Sequence, residues 1–119
     1  MCLIVNKFRH WNKKPKTAKK DILCYKVLEF RNFILTTPFQ GRIVKNFRDP
    51  FLANKFDCEY KNYISYGIHT YRTKRWAFKR VKNWIYVFVI PCYIPKGTKY
   101  WIGINKDYCS EKIMWGYSI

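Results

Sequence analysis

Ile85-Tyr86-Val87-Phe88-Val89-Ile90-Pro91-Cys92-Tyr93 carries no charged side chain and shows no alternation. A short apolar run of this kind, rich in β-branched and aromatic residues, predicts a strand buried on both faces. Such a strand leaves no side for water, so the rest of the chain must cover it. Ile22 to Phe30 has the same composition over nine residues and predicts a central strand. Phe33 to Phe39 predicts a returning strand stopped at Pro38, and Tyr63 to Tyr71 a strand with a bulge at Gly67. Pro95-Lys96-Gly97-Thr98 has Pro and Gly where a type II turn uses them. Lys99–Ile104 and Lys112–Ile119 complete the strand set, with 105–110 as a loop between them. The stretch 41–62 predicts loops with at most one short element.

One amphipathic helix is expected over about 73–84. Thr73 is its N-cap, and Trp76, Ala77, Val81 and Trp84 share the arc that should pack on the sheet. The sum is an α+β domain: an antiparallel or mixed sheet of five or six strands with that helix packed on one face. At 119 residues there is room for a single domain, 1–119, and one core. The 20% aromatic content is more than such a core needs, so some rings are expected at the surface.

Twenty-four Lys and Arg against seven Asp and Glu give a net charge of +17. Self-repulsion at that charge costs stability, and the usual compensation is an anionic partner. AT-rich codon bias accounts for part of the lysine excess, but not for the scarcity of Asp and Glu. Two segments concentrate the charge. The first is a basic loop or arm at about 7–20, where Lys7, Arg9, Lys13, Lys14, Lys16, Lys19 and Lys20 interleave with Phe8 and Trp11. Rings among cations add stacking to phosphate attraction. The second is the predicted helix, where Arg75, Lys79 and Lys82 form one strip extended by Arg72 and Lys74. A solvated helix face normally pairs such cations with acids. Between Glu59 and Asp107 there is no acid at all. The twelve cations of these two segments and Trp11 are the candidate nucleic-acid or effector contacts.

No catalytic or metal-binding set is expected. His69 reads as a packed strand histidine, without a carboxylate at diagnostic spacing. Cys2, Cys24, Cys58, Cys92 and Cys109 are odd in number and form neither CxxC nor a Cys/His pair, so free, mostly buried thiols in a reducing compartment are expected. Met1 to Val5 is too short for a secretory leader, and no stretch approaches 18 apolar residues, so no membrane association is expected. No cofactor and no small-molecule substrate are expected.

Cys24-Tyr25-Lys26-Val27-Leu28, Gly67-Ile68-His69-Thr70-Tyr71 and Ile94-Pro95-Lys96-Gly97-Thr98-Lys99-Tyr100 are similar to the CYKVL, GxHxY and IPxGTxY elements of a family of small phage and prophage proteins. Ser110 and Ile113 fit as well, and the resemblance covers most of 14–119. In size and charge the chain also resembles phage anti-CRISPR proteins that inhibit type VI-B RNA-guided RNases. That resemblance implies a non-enzymatic inhibitor in the bacterial host cytoplasm, acting on the effector or its guide RNA. Two other readings stay open. One is a generic single-stranded RNA binder, contacting RNA or an acidic protein surface. The other is an ADP-ribosyltransferase-like enzyme, which the GxHxY and PxGTxY elements faintly resemble and for which Glu111 is the only candidate acid.

Overall fold

The computed structural model describes residues 3–11, 14–38, 41–56, 63–64, 66–82 and 85–117. In chain order the strands are β1 (Leu3–Ile4), β2 (Lys16–Thr17), β3 (Ile22–Arg31), β4 (Ile34–Thr36), β5 (Phe51–Leu52), β6 (Tyr63–Ile64) and β7 (Ile68–Tyr71). The helix α1 (Lys74–Val81) follows, then β8 (Val87–Ile94), β9 (Lys99–Ile102), β10 (Asp107–Ser110) and β11 (Lys112–Trp115). The spine is the antiparallel ladder of β3 and β8, whose register runs from Ile22↔Ile94 to Glu29↔Val87. Around it one antiparallel sheet has the order β2-β9-β10-β7-β3-β8-β11-β5, with β4 pairing β3 beside β7. β1 and β6 form a separate two-stranded pair.

The α+β class stands, but the sheet has nine strands rather than five or six. The extra ones carry little local signal. β2 and β5 are two residues each, and β10 begins with Asp and ends with Ser in the stretch expected to be a loop. Partners select β10: Asp107 to Ser110 pair with β7 and Tyr108 to Ser110 with β9. Asp107 also sits where Gly103 leaves room, since a Cβ on Gly103 would collide with its carboxylate. The single strand expected over 63–71 is instead two, β6 and β7, in different sheets. Gly67, at φ 131°, lies just before β7.

Successive residues of β3 feed opposite faces. Cys24 joins a cluster with Ala18, Ile68, Cys92, Ile94 and Ile113, against which Phe51, Ala53 and Trp115 pack. Val27 joins the other face with Tyr71, and there Ala77 and Val81 of α1 are buried. Further along that face Trp101 and Cys109 pack with Leu3, Val5 and Ile64. Pro91 is tolerated inside β8 because its missing N–H faces β11, where only its carbonyl is used, accepting from Gly116.

Three expectations need correction. The apolar run does not start its strand until Val87; Ile85, Tyr86 and Phe88 are exposed, Val87, Val89, Ile90, Pro91 and Tyr93 are half-buried, and within the run Cys92 alone is fully buried. β11 explains this, because it pairs β8 only at Cys92 and Tyr93. The helix is shorter than 73–84, ending at Val81 with Lys82 as C-cap, although Thr73 does cap it: its Oγ1 accepts from the Trp76 N–H at 3.2 Å. Trp76 is half-buried rather than buried, at the margin of the packed arc, while Trp84 lies outside the described residues. The 95–98 turn has Gly97 at φ 89° in its third position, with Pro95 first, accepting from the Thr98 N–H at 3.1 Å.

Candidate nucleic-acid interface

The basic segment at 7–20 is fastened to the sheet at both ends. Asn6 opens it: its Oδ1 accepts from the Phe8 N–H at 3.1 Å, and its carbonyl accepts from Arg9 and His10 at 3.1 and 3.2 Å. This turn sends Phe8 and Trp11 outward and His10 inward. His10 is the pin. Its Nε2 accepts from the Ile102 N–H at 2.8 Å, so Nδ1 carries the proton and donates to the Lys14 carbonyl at 2.9 Å. The ring rests on the fully buried Trp101, centroids 4.9 Å apart. Burial pulls the His10 pKa below the ordinary imidazole value; the Lys14 carbonyl opposes this and the Lys16 charge adds to it. At the other end β2 pairs with β9 through Lys16↔Tyr100 and Thr17↔Lys99, and Ala18 is buried in the core.

Fastening the segment creates a cleft of about 490 Å³. Arg9, Lys16, Lys19 and Lys20 line it, with Trp11, Tyr100 and the start of β3 at Ile22. Trp11 is 83% exposed, an apolar ring given to solvent beside four cations. Among the described residues no carboxylate lines the cleft. Asp21, next in sequence to Lys20, has its Oδ1 accepting from the Lys96 N–H at 2.8 Å, where it braces the 95–98 turn.

The wall continues onto the sheet. Tyr100 and Tyr108 meet edge to face at 6.0 Å. Burial pushes both phenols up, and Arg9 is close enough to oppose that at each; Arg72 opposes it at Tyr108 more strongly than Arg9 does. Arg72 thus belongs to the tyrosine wall as much as to the helix. Its backbone N–H donates to the Lys106 carbonyl at 2.8 Å, which holds it at the end of β7.

The remaining predicted contacts do not join this cleft. Lys74, Arg75, Lys79 and Lys82 are all exposed along α1, which packs on the opposite face from Tyr100 and Tyr108. Two of them lie over rings of their own helix, Lys79 Nζ 4.6 Å from the Trp76 centroid and Lys74 Nζ 5.8 Å from that of Phe78. Lys7 and Lys14 are exposed on the fastened segment outside the cleft lining. Lys13 lies outside the described residues.

No protein-family model, curated protein or solved structure matches this chain.

Sequence reasoning missed His10, Tyr100 and Tyr108. His10 sits in a run that reads as solvated charge, and nothing local tells that its ring faces inward. The tyrosines stand in strands and read as core. Lys26 was missed in the other direction: it is buried in β3, and desolvation drags its pKa down to about 8, with the Cys92, Cys109 and Cys24 thiols opposing and Arg42 reinforcing. His69 is buried in β7, its Nε2 4.0 Å from the Cys109 sulfur. Glu111 Oε1 accepts from the Lys99 N–H at 2.9 Å. Cys24, Cys92 and Cys109 are buried thiols outside any disulfide, with Cys24 and Cys92 sulfurs 3.5 Å apart; Cys2 and Cys58 lie outside the described residues. No helix of the described residues is long and apolar enough to cross a membrane.

Proposed function

We propose that this chain is a non-enzymatic RNA-binding protein, and that its target is the guide RNA of a type VI-B RNA-guided RNase, the effector that its resemblance to phage anti-CRISPR proteins implies. The observation that carries the reading is the cleft that Arg9, Lys16, Lys19 and Lys20 line beside an exposed Trp11, with no carboxylate among the described lining residues. Four cations at one concavity attract successive phosphates, and an unstacked base has a ring to lie on. That combination favours a single strand over a duplex, whose bases are already stacked.

The test is binding of a fluorescent single-stranded RNA at several salt concentrations. With about four phosphates neutralised, log K should fall by about 3 per decade of salt. A flat dependence would overturn the electrostatic reading. In parallel, the protein is added to an assembled type VI-B effector and target-RNA cleavage is followed. Tight RNA binding with undiminished cleavage would leave a generic single-stranded RNA binder and remove the effector from the proposal.

A further inference from the structure

The end of β3 opposite the cationic cleft carries a different chemistry. β3 starts at Ile22 in the cleft and reaches its far turn about 30 Å away by strand rise. There Arg31 pairs with Ile34, leaving Asn32 and Phe33 as a two-residue loop with φ 50° and 65°. Two positive φ values define the primed type I hairpin turn, in which glycine normally follows asparagine. Phenylalanine holds this backbone against steric strain, and its residue is 91% exposed. Tyr86, at the entry to β8, repeats the pattern with φ 59° and 72% exposure. Its carbonyl accepts from the Phe30 N–H at 2.8 Å, which sets the two bends side by side. Phe30, Ile34, Ile85 and Phe88 are exposed around them. Next to these side chains lies a cleft of about 870 Å³, lined in part by Phe30, Ile34, Pro38, Ile85 and Tyr86. Among the described residues of that lining Glu29 is the charged one.

We propose that this tip is a self-association surface, on which a second copy of the chain docks tip to tip about a two-fold axis. A two-fold contact needs a patch complementary to itself, and here projecting rings stand beside a concavity of mixed lining, with Phe30, Ile34, Pro38, Ile85 and Tyr86 as its apolar part. The six exposed side chains offer on the order of 700 Å², near the roughly 800 Å² that each partner contributes to a standard interface. Charge points the same way. Two chains of +17 must meet where cations are few, and none of the described residues lining the tip cleft is a cation. In the tip-to-tip dimer the two cationic clefts stand about 60 Å apart, many Debye lengths at physiological salt. The described lining residues offer an RNA strand no cation for its phosphates.

Sedimentation equilibrium of the full chain without RNA tests this over a range of concentrations and salt. The expected result is a reversible monomer–dimer equilibrium that tightens with salt, as repulsion between flanking cations such as Arg42 and Lys82 is screened. RNA binding moves the opposite way. Phe33→Gly and Tyr86→Gly should each weaken dimerisation by about tenfold or more. Both should keep or raise the melting temperature, because glycine takes a positive φ without strain. A ring that only supported the fold would lower it. A wild-type chain that stays monomeric at every concentration overturns the proposal. So do glycine variants that dimerise like the wild type, or open-ended polymers in place of a dimer.

Discussion

Lys16, Lys19 and Lys20 stand on and just beyond a strand edge that His10 ties to the buried Trp101. Arg75, Lys79 and Lys82 stand on and just past an eight-residue helix, exposed to solvent, with one of them resting on the neighbouring Trp76 ring. The charges are alike and the support is not. The backbone that carries the cleft cations is fastened around a concavity with an exposed ring at its rim, so a strand entering it meets several cations and a ring at once. The helix cations form a convex strip about 10 Å long by helix rise, and each must give up side-chain freedom to reach a phosphate. Preorganisation is what separates a binding site from a charged surface.

Removing the support should have the largest effect. Trp101→Ala deletes a fully buried ring that backs His10, and should cost about 3–5 kcal/mol in urea unfolding. A cost below about 1.5 kcal/mol would mean that the two regions differ less in support than this comparison holds.

Charge reversal then compares the two regions directly. Lys16→Glu with Lys19→Glu and Lys20→Glu should weaken single-stranded RNA binding by about 10- to 100-fold. Arg75→Glu with Lys79→Glu and Lys82→Glu should weaken it by about threefold or less, through the long-range field alone. Both triple variants should fold, since exposed substitutions rarely cost more than about 0.5 kcal/mol each. Equal losses would make the basic surface uniform and remove the cleft's special standing.

A third class of cation sharpens the contrast. Lys26 is buried, and its folded pKa of about 8 lies below its ordinary 10.5. The unfolded chain therefore binds its proton more tightly, and stability should rise as pH climbs from about 8 towards 10.5. Above about pH 10 the gain is cut short, because Tyr71 is held up to about 12 by burial and the unfolded chain loses that proton first. Lys26→Met should gain about 1–3 kcal/mol at neutral pH and lose the alkaline rise. A destabilised methionine variant would show that the ammonium has a role in the fold.

The smallest effect concerns the pin. The His10 pKa is lowered in the fold, so the stability that its neutral form contributes is present above about pH 6.5 and lost as pH falls below it. Protection of the Ile102 amide, its exchange rate referred to the intrinsic rate at each pH, should fall as pH drops across that range, and His10→Gln should abolish that dependence. Protection independent of pH in the wild type would mean that His10 does not hold the segment.

Much of the sheet was legible because composition and period act locally. Ile22–Arg31 and Val87–Ile94 announce themselves by β-branched and aromatic runs, and Thr73 by its place before an amphipathic turn. β10 was not legible, since Asp107 and Ser110 become strand residues only between β7 and β9. The candidate site divides in the same way. Its cations and Trp11 could be named from the basic run, but Tyr100, Tyr108 and His10 could not, because no local pattern says which way a ring faces.

Charge, aromatic excess and the α+β class were thus determined by the sequence alone, as sums and short periods that need no partner across the chain. Which cations form a cleft was decided by tertiary structure. Lys16 lies opposite Tyr100, and His10 reaches Ile102, across more than 80 residues of sequence. Only the pairing of β2 with β9 brings them together, and that pairing depends on a core that no single segment contains.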